Sequence, residues 1–358
     1  MSRPTRAFID SAALRANLQR VKACAPRQRV MAVVKSNAYG HGAIKVANLL
    51  QSDVDAFGVR SLEEALELRE TGIIKPIVLL EGFFKSDELP EIVKQDLQIV
   101  VHTTKQFEYL LRAQLEKPVA VWLKVDTGLH RLGFAPNEIE PIYQALKQCS
   151  NVVEPIRLMS HLISADDRQD ASTEQQTQTF LALAQQFEVE TSLANSAGIL
   201  GWPQTHCDLV RPGIMLYGVS PFPDSVAKQE GLQPVMQLQS ALIAVRRLHK
   251  GDTVGYGATW TCPQSMPVGV VAIGYADGYP RHAPSGTPVL LNGRRVPLVG
   301  RVSMDMITVD LRNQPNASVG DPVLLWGKNL PVEEVAALAG TIGYELLCNI
   351  NCPLKQTP

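Results

Sequence analysis

Through the first two-thirds of the chain, short β-branched runs alternate with stretches whose apolar residues recur at helical spacing, and polar caps mark the changes. Leu14, Leu18 and Val21 fall on one helical face behind Asp10 and Ser11, whose side chains can accept the first free N–H groups. Ser61-Leu62-Glu63-Glu64 has the spacing of a capping box, and the helix it opens stops at Gly72. Strand-like runs fall at 29–34, 56–59, 77–80, 97–101, 119–125, 156–159, 189–193 and 207–211, most of them followed by a helical or glycine-containing stretch. Eight such units predict an α/β fold, an N-terminal (β/α)8 barrel of the TIM type. A doubly wound open sheet is the competing architecture, because a string of βα units does not say whether the sheet closes. In a barrel, functional groups sit at the C-terminal ends of many strands; in an open sheet they gather at one switch point. The polar punctuation is spread over strands one, five, six, seven and eight, which favours the barrel.

From about Leu232 the pattern changes. Runs at 239–245, 268–273, 288–291, 306–311 and 323–325 are strand-like and joined by turns such as Asn292-Gly293 and Val319-Gly320-Asp321, and only 332–339 looks strongly helical. A mainly β C-terminal domain over 233–358 is expected to follow a barrel domain over 1–232, with the N-terminal strand at 6–9 a candidate to join the β domain. With 358 residues, 45% hydrophobic and 19% charged, the chain has ample interior for a packed core, which excludes disorder. Lysines and arginines (34) balance aspartates and glutamates (35), so no global basic field exists to hold nucleic acid or anionic lipid. No apolar run approaches the roughly 18 residues of a membrane span, and Met1–Arg6 leads into no apolar export segment; a soluble cytoplasmic protein is expected. Six scattered cysteines without a C-x-x-C pair read as small buried hydrophobes of a reducing compartment, Cys348 and Cys352 being close enough in sequence to meet. No metal site is expected.

The strongest local signal is Ala32-Val33-Val34-Lys35-Ser36-Asn37-Ala38-Tyr39-Gly40-His41-Gly42. A lysine ending an apolar strand has its stem buried at the barrel mouth, where desolvation disfavours the charged form. A neutral amine attacks aldehydes, which is what a Schiff-base lysine requires. Position alone equally allows a lysine that snorkels to solvent; the glycines that follow imply close backbone approach to something.

The segment 34–42 resembles the pyridoxal-phosphate attachment signature of alanine racemases and matches it at every signature position. The resemblance continues through Lys124-Val125-Asp126-Thr127-Gly128-Leu129-His130-Arg131, Met159-Ser160-His161, Asn195-Ser196, Arg211-Pro212-Gly213-Ile214, Gly255-Tyr256-Gly257, Gly274-Tyr275-Ala276-Asp277-Gly278, Gly300-Arg301-Val302-Ser303-Met304-Asp305 and Tyr344-Glu345, and so covers nearly the whole chain. It implies a fold type III pyridoxal-phosphate enzyme, a homodimer with shared active sites, that interconverts L- and D-alanine through an external aldimine. By motif, Lys35 would hold the cofactor and serve the D-enantiomer, and Tyr256 from the other subunit would serve the L-enantiomer. Removing a proton from one face of a planar carbanion and returning one to the other is met by two bases on opposite sides. A tyrosine needs a neighbouring positive group or hydrogen-bond donor to act as a base near neutrality.

Ser196 follows strand seven, and Gly213 and Ile214 follow strand eight at the start of a short helix, where exposed N–H groups suit a phosphate dianion. By resemblance, Asn195 belongs with Ser196, and Tyr39 and Tyr344 complete the phosphate cup. Arg211, supported by His161, would face the pyridine nitrogen; guanidinium keeps its proton, leaving the ring a weaker electron sink that favours reprotonation at the α-carbon. Arg131 would contact the cofactor's phenolic oxygen and the substrate carboxylate. Lys124 matches a lysine that is carbamylated in several relatives, an unmodified lysine being the other option. Met304 and Asp305 match an inter-subunit substrate pocket, and Asp166, Tyr275, Arg281 and Arg301 its entrance. Ser303 stands where some relatives have cysteine, and the tail from Cys348 lacks the arginine-bearing ending of the family. Three alternatives stay open: a racemase of broader specificity, a fold type III decarboxylase, and a non-catalytic pyridoxal-phosphate carrier. Whether D-alanine would be made for cell wall or consumed is equally open.

Overall fold

The computed structural model describes residues 3–356. Eight parallel strands, Arg29–Val33, Ala56–Val59, Ile77–Leu79, Leu97–Val101, Val119–Lys124, Val152–Met159, Thr191–Ser192 and Leu209–Val210, pair in sequence order, and the last returns to pair with the first. The seventh and eighth strands are only two residues each, and the ring is closed between them by hydrogen bonds: the Asp208 N–H donates to Thr191 O at 3.3 Å and the Ser192 hydroxyl to Leu209 O at 2.7 Å. The barrel is therefore closed.

Its interior is filled by a buried layer of Met31, Ala56, Val78, Val100, Trp122, Met159 and Leu209, each from a different strand. Side chains alternate along a strand, so the residue two further on points the same way, one layer nearer the C-terminal mouth. That rule delivers Val33, Lys124 and Arg211 to the mouth, two residues beyond Met31, Trp122 and Leu209. Outside the ring, the helix Ser11–Cys24 buries Leu14, Leu18 and Val21 as its period requires, and Asp10 Oδ1 caps it by accepting from Ala13 N–H at 2.9 Å.

From Met236 the chain builds a second, mainly antiparallel sheet. The 13-residue strand Met236–Leu248 is its spine, pairing with Met266–Val271, with Pro322–Trp326 and with the N-terminal strand Arg6–Ile9. Arg6–Ile9 thus lies in the second sheet, held on its other edge by the parallel strand Leu354–Gln356 of the tail. The hairpin between Pro288–Leu291 and Arg294–Pro297 turns at Asn292 and Gly293, whose φ values of 49° and 77° are those of a type I′ turn. Two helices follow, Val332–Leu338 and Gly343–Cys348; the second escapes sequence reading because six residues are too few to show a period. No described helix is long and apolar enough to cross a membrane. All six cysteines are free, and only Cys262 is buried, so the expectation of uniformly buried thiols holds for that residue alone.

Candidate active site

A cavity of about 600 Å³ opens at the C-terminal mouth of the barrel, within the range of roughly 300–1,000 Å³ typical of small-molecule sites. Lys35, Tyr39, Lys124, Arg131, His161, Asn195, Ser196, Arg211, Gly213, Ile214 and Tyr344 all line it. Sequence reasoning missed Glu81 and Cys348, which line the same cavity. Glu81 had a legible signal, since it follows the third strand's apolar run directly; Cys348 had none, because its place depends on the short helix Gly343–Cys348 packing over the mouth.

Lys35 stands where the first strand ends, and the chain then makes an unusual turn. Ser36, Asn37, Ala38 and Tyr39 all adopt φ between 52° and 54°, one turn of left-handed helix built without glycine. Left-handed conformation costs an L-residue roughly 1–2 kcal/mol, so the surroundings must hold this segment. Ala38 N–H bonds to Val34 O at 2.8 Å, and Asn37 Oδ1 accepts from Ala43 N–H at 2.9 Å. His41 Nδ1 sits 2.8 Å from Tyr39 O and 3.1 Å from Ala38 O, so the neutral ring carries its proton there and donates to the turn's carbonyls. Burial lowers the pKa of His41 to about 4, which keeps it neutral. Gly40 is required by contact: a Cβ there would lie 2.1 Å from Leu347 O.

The turn delivers Tyr39 onto Tyr217, ring centroids 4.9 Å apart, and its hydroxyl against Gly213, where a Cβ would come within 2.6 Å of Tyr39 Oη. Gly213 is thus a cradle that any side chain would fill. Beside it, the Ser196 hydroxyl accepts from Gly213 N–H at 3.0 Å and Met215 N–H at 3.3 Å, leaving its own proton to donate into the cavity. Asn195 caps the helix Ser196–Gly201, its Oδ1 accepting from Gly198 N–H at 3.0 Å.

The deep end is cationic. Arg211 is buried and donates to Ser192 Oγ at 2.6 Å and Ser160 O at 2.7 Å, with His161 Nδ1 3.4 Å from Nη2. Burial lowers its pKa to about 10, so it stays charged at neutrality, and no carboxylate pairs with it among the described residues. Burial first, then the charges of Arg211 and Lys124, hold His161 well below the usual histidine range. Lys124 is 8% exposed and its amine has no hydrogen-bond partner among the described residues; burial, then Arg211, Arg131 and Lys35, lower its pKa to about 8. Burial also lowers Lys35, with Glu81 opposing and Arg131 adding to the effect. Among the described residues, Glu81 is the one carboxylate lining a cavity that holds Lys35, Lys124, Arg131 and Arg211. Such a lining suits a ligand with several negative charges and an aldehyde for Lys35. The Gly213 cradle, the unpartnered Lys124 and the uncompensated Arg211 together fit pyridoxal phosphate.

The remaining sequence-predicted residues lie elsewhere. Tyr256, 69% exposed, tips the hairpin between Thr253–Val254 and Trp260–Thr261, a separate two-stranded sheet, outside the cavity of its own chain. Arg301 packs against that hairpin, its Nη1 3.4 Å from where a Gly257 Cβ would stand. Tyr275 and exposed Met304 are tied together, Tyr275 N–H donating to Ser303 O at 3.1 Å and Ala276 N–H to Met304 O at 3.0 Å. Ser303 acts here through its backbone, its N–H donating to Met306 O at 2.9 Å. Arg281 lies 6.0 Å from the Tyr275 ring centroid, and Arg3 fastens both loops by donating to Asp277 Oδ2 and Asp305 O at 2.7 Å each. Asp166 is exposed on the barrel side, near enough for its charge to act on Tyr344, whose pKa is raised mainly by burial. The C-terminal tail reaches these loops, with Asn351 N–H donating to Asp277 O at 3.1 Å.

Residues 9–221 match the family model for the alanine racemase N-terminal domain and residues 235–357 that for the alanine racemase C-terminal domain. The chain is 55% identical over 351 residues to the alanine racemase of Vibrio cholerae, covering 98% of this chain and 97% of that one. It is 52% identical to the alanine racemase of Halorhodospira halophila, covering 100% and 98% respectively. Among solved structures, the biosynthetic alanine racemase of Pseudomonas aeruginosa superposes with a TM-score of 0.97 at 46% identity over 100% of both chains. That of Acinetobacter baumannii gives 0.93 at 40% identity, covering 99% of this chain and 100% of that one.

Proposed function

Because the chain belongs to the alanine racemase family, we propose that its cavity interconverts L- and D-alanine with pyridoxal phosphate carried on Lys35. The observation that carries this reading is the meeting of a half-buried lysine, a glycine cradle and an uncompensated buried arginine in one cavity. When bound, the cofactor supplies an electron-withdrawing ring that lowers the barrier to loss of the α-proton. Ser196, Tyr39, Tyr344, Asn195, Ile214 and the Gly213 cradle would hold its phosphate, and Arg211, oriented by Ser192 and Ser160, would face its ring nitrogen. Arg211 keeps its proton below a pKa of about 10 and so would offer that nitrogen a donor and no acidic proton, an environment that would favour return of a proton to the α-carbon. Arg131 at the mouth would orient the substrate carboxylate.

Lys35 would move the proton on one face of the α-carbon, burial shifting its amine towards the neutral form that can accept one. The opposite face needs a second base, and among the described residues the only tyrosines lining the cavity are Tyr39 and Tyr344, assigned above to the phosphate. Tyr256, exposed on a hairpin with Arg301 beside it, fits that role when supplied by a second copy, and Met304, Tyr275 and Arg281 come with it as pocket and entrance, opposite Asp166. A homodimer with two shared sites follows. The working division is a barrel domain ending at residue 232 and a β domain that takes in the strand Arg6–Ile9. Lys124, with its pKa near 8, has the neutral amine that adds to carbon dioxide, forming a C–N bond and releasing a proton; the carbamate would pair with Arg131.

Purified protein should absorb near the visible edge and convert L-alanine to D-alanine. A colourless protein with intact fold overturns the reading; colour without α-proton exchange makes the chain a cofactor carrier, and equal turnover of serine, lysine and arginine makes it a broad racemase.

A further inference from the structure

Ser61 and Glu64 have the spacing of a capping box, in which the glutamate turns back to the amide of its own N-cap. That box does not form. Ser61 makes no side-chain cap bond to the helix Leu62–Glu70. The Glu64 carboxylate instead spans two βα units: Oε2 accepts from Arg60 N–H at 3.0 Å, just ahead of its own helix, and Oε1 reaches across to accept from Ser36 N–H at 2.8 Å. Arg60 Nε lies 3.1 Å from Oε1, so the carboxylate is fixed from a third side, and its side chain is only 14% exposed.

Ser36 is the residue after Lys35 and the first of the four left-handed residues. The rear of that turn is held by several contacts: Asn37 to Ala43, His41 to Tyr39 and Ala38, and Gly40 against Leu347. At its front, where the backbone leaves Lys35, Glu64 is the acceptor for the Ser36 N–H among the described residues. Backbone of this kind persists only when its surroundings over-determine it. A shift of the Ser36 amide swings the Cα–Cβ bond of Lys35, and with it the direction of the reacting amine.

We infer that Glu64 is a positioning residue for Lys35, a carboxylate diverted from capping its own helix to fix the backbone at the cofactor lysine. This rests on Lys35 being that lysine. A glutamate in the first turn of a helix also stabilises the helix electrostatically, and that role alone would show in thermal stability without touching Lys35.

The test compares wild type, Glu64→Ala, Glu64→Gln and Ser61→Ala as full-length protein. Three quantities are read: the dissociation constant of pyridoxal phosphate by absorbance titration of cofactor-stripped protein, kcat and KM for L-alanine, and the thermal midpoint. Loss of a hydrogen bond to a charged acceptor corresponds to roughly tenfold or more. Glu64→Ala is expected to weaken pyridoxal phosphate binding and lower kcat by about that factor, with KM changing far less. Glu64→Gln keeps an oxygen for Ser36 and should recover most of both, while Ser61→Ala changes neither. Wild-type binding and kcat in Glu64→Ala, whatever its thermal midpoint, overturn the inference, as does a Glu64→Gln as impaired as Glu64→Ala. If wild type itself takes up no pyridoxal phosphate, the assignment of Lys35 falls and this inference with it; wild-type uptake with unaffected Glu64→Ala removes this inference alone.

Discussion

Replacing Gly213 by alanine drives a methyl group into the phenol of Tyr39. The added Cβ would stand 2.6 Å from Tyr39 Oη and 3.2 Å from Cζ, where ordinary contact begins at 3.4 Å. The phenol must therefore retreat by most of an ångström, yet its ring is stacked on Tyr217 and its backbone locked in the left-handed turn. Overpacking of this order costs about 1–3 kcal/mol, and about 1.4 kcal/mol is tenfold, so pyridoxal phosphate should bind roughly five- to 150-fold more weakly. Absorbance titration of stripped protein measures that loss. Tyr39→Phe removes the nearest atom, leaving Cζ at 3.2 Å, a clash the ring can relieve by a few tenths of an ångström. In a double-mutant cycle the pair should then be less impaired than the sum of the single effects. Wild-type affinity in Gly213→Ala, or strict additivity in the double variant, would refute the steric reasoning.

Lys35→Ala should abolish both the near-visible absorbance and turnover, and survival of either after cofactor addition would reassign the lysine. Labelled bicarbonate should give a carbamate carbon signal in wild type that Lys124→Arg lacks; with a pKa of about 8, formation weakens as pH falls below that value, because the neutral amine is lost. His41 should make stability pH-dependent: its folded pKa of about 4 lies below the ordinary 6.5, so the unfolded chain binds the extra proton. Stability is then fully present above pH 6.5 and declines as pH falls towards 4, by an amount on the order of 3 kcal/mol. Urea unfolding across that window checks it, and an unchanged midpoint would mean the ring is not buried neutral.

How much of this was written in the sequence depends on whether the determinant is local. The β-branched runs of the first six barrel strands and the caps Asp10 and Gly72 act within a few residues, and they are legible. The last two strands shrink to two residues because closure needs only Thr191, Ser192, Leu209 and Val210, whereas the apolar runs that mark them extend further. Lys124 and Arg211 are brought to the mouth by strand alternation, which a reader can count. The left-handed turn after Lys35 was not legible, since Ser36, Asn37, Ala38 and Tyr39 have no glycine to announce it and it is imposed by distant groups. Glu64 illustrates the limit: its motif was visible, but a competing acceptor role for Ser36, 28 residues away in sequence, claimed the carboxylate. Cys348 met the cavity only through tertiary packing of a six-residue helix.

The claim that one cavity works with Lys35 from its own chain and Tyr256 from a second copy is tested most directly by complementation. Lys35→Ala and Tyr256→Phe, each inactive in L-to-D conversion, are mixed in equal amounts under conditions that exchange subunits, and racemisation is followed. Each hybrid dimer would hold one site with both bases intact, so random pairing should restore roughly a quarter of wild-type activity. Hybrid dimers that form and remain inactive would contradict it.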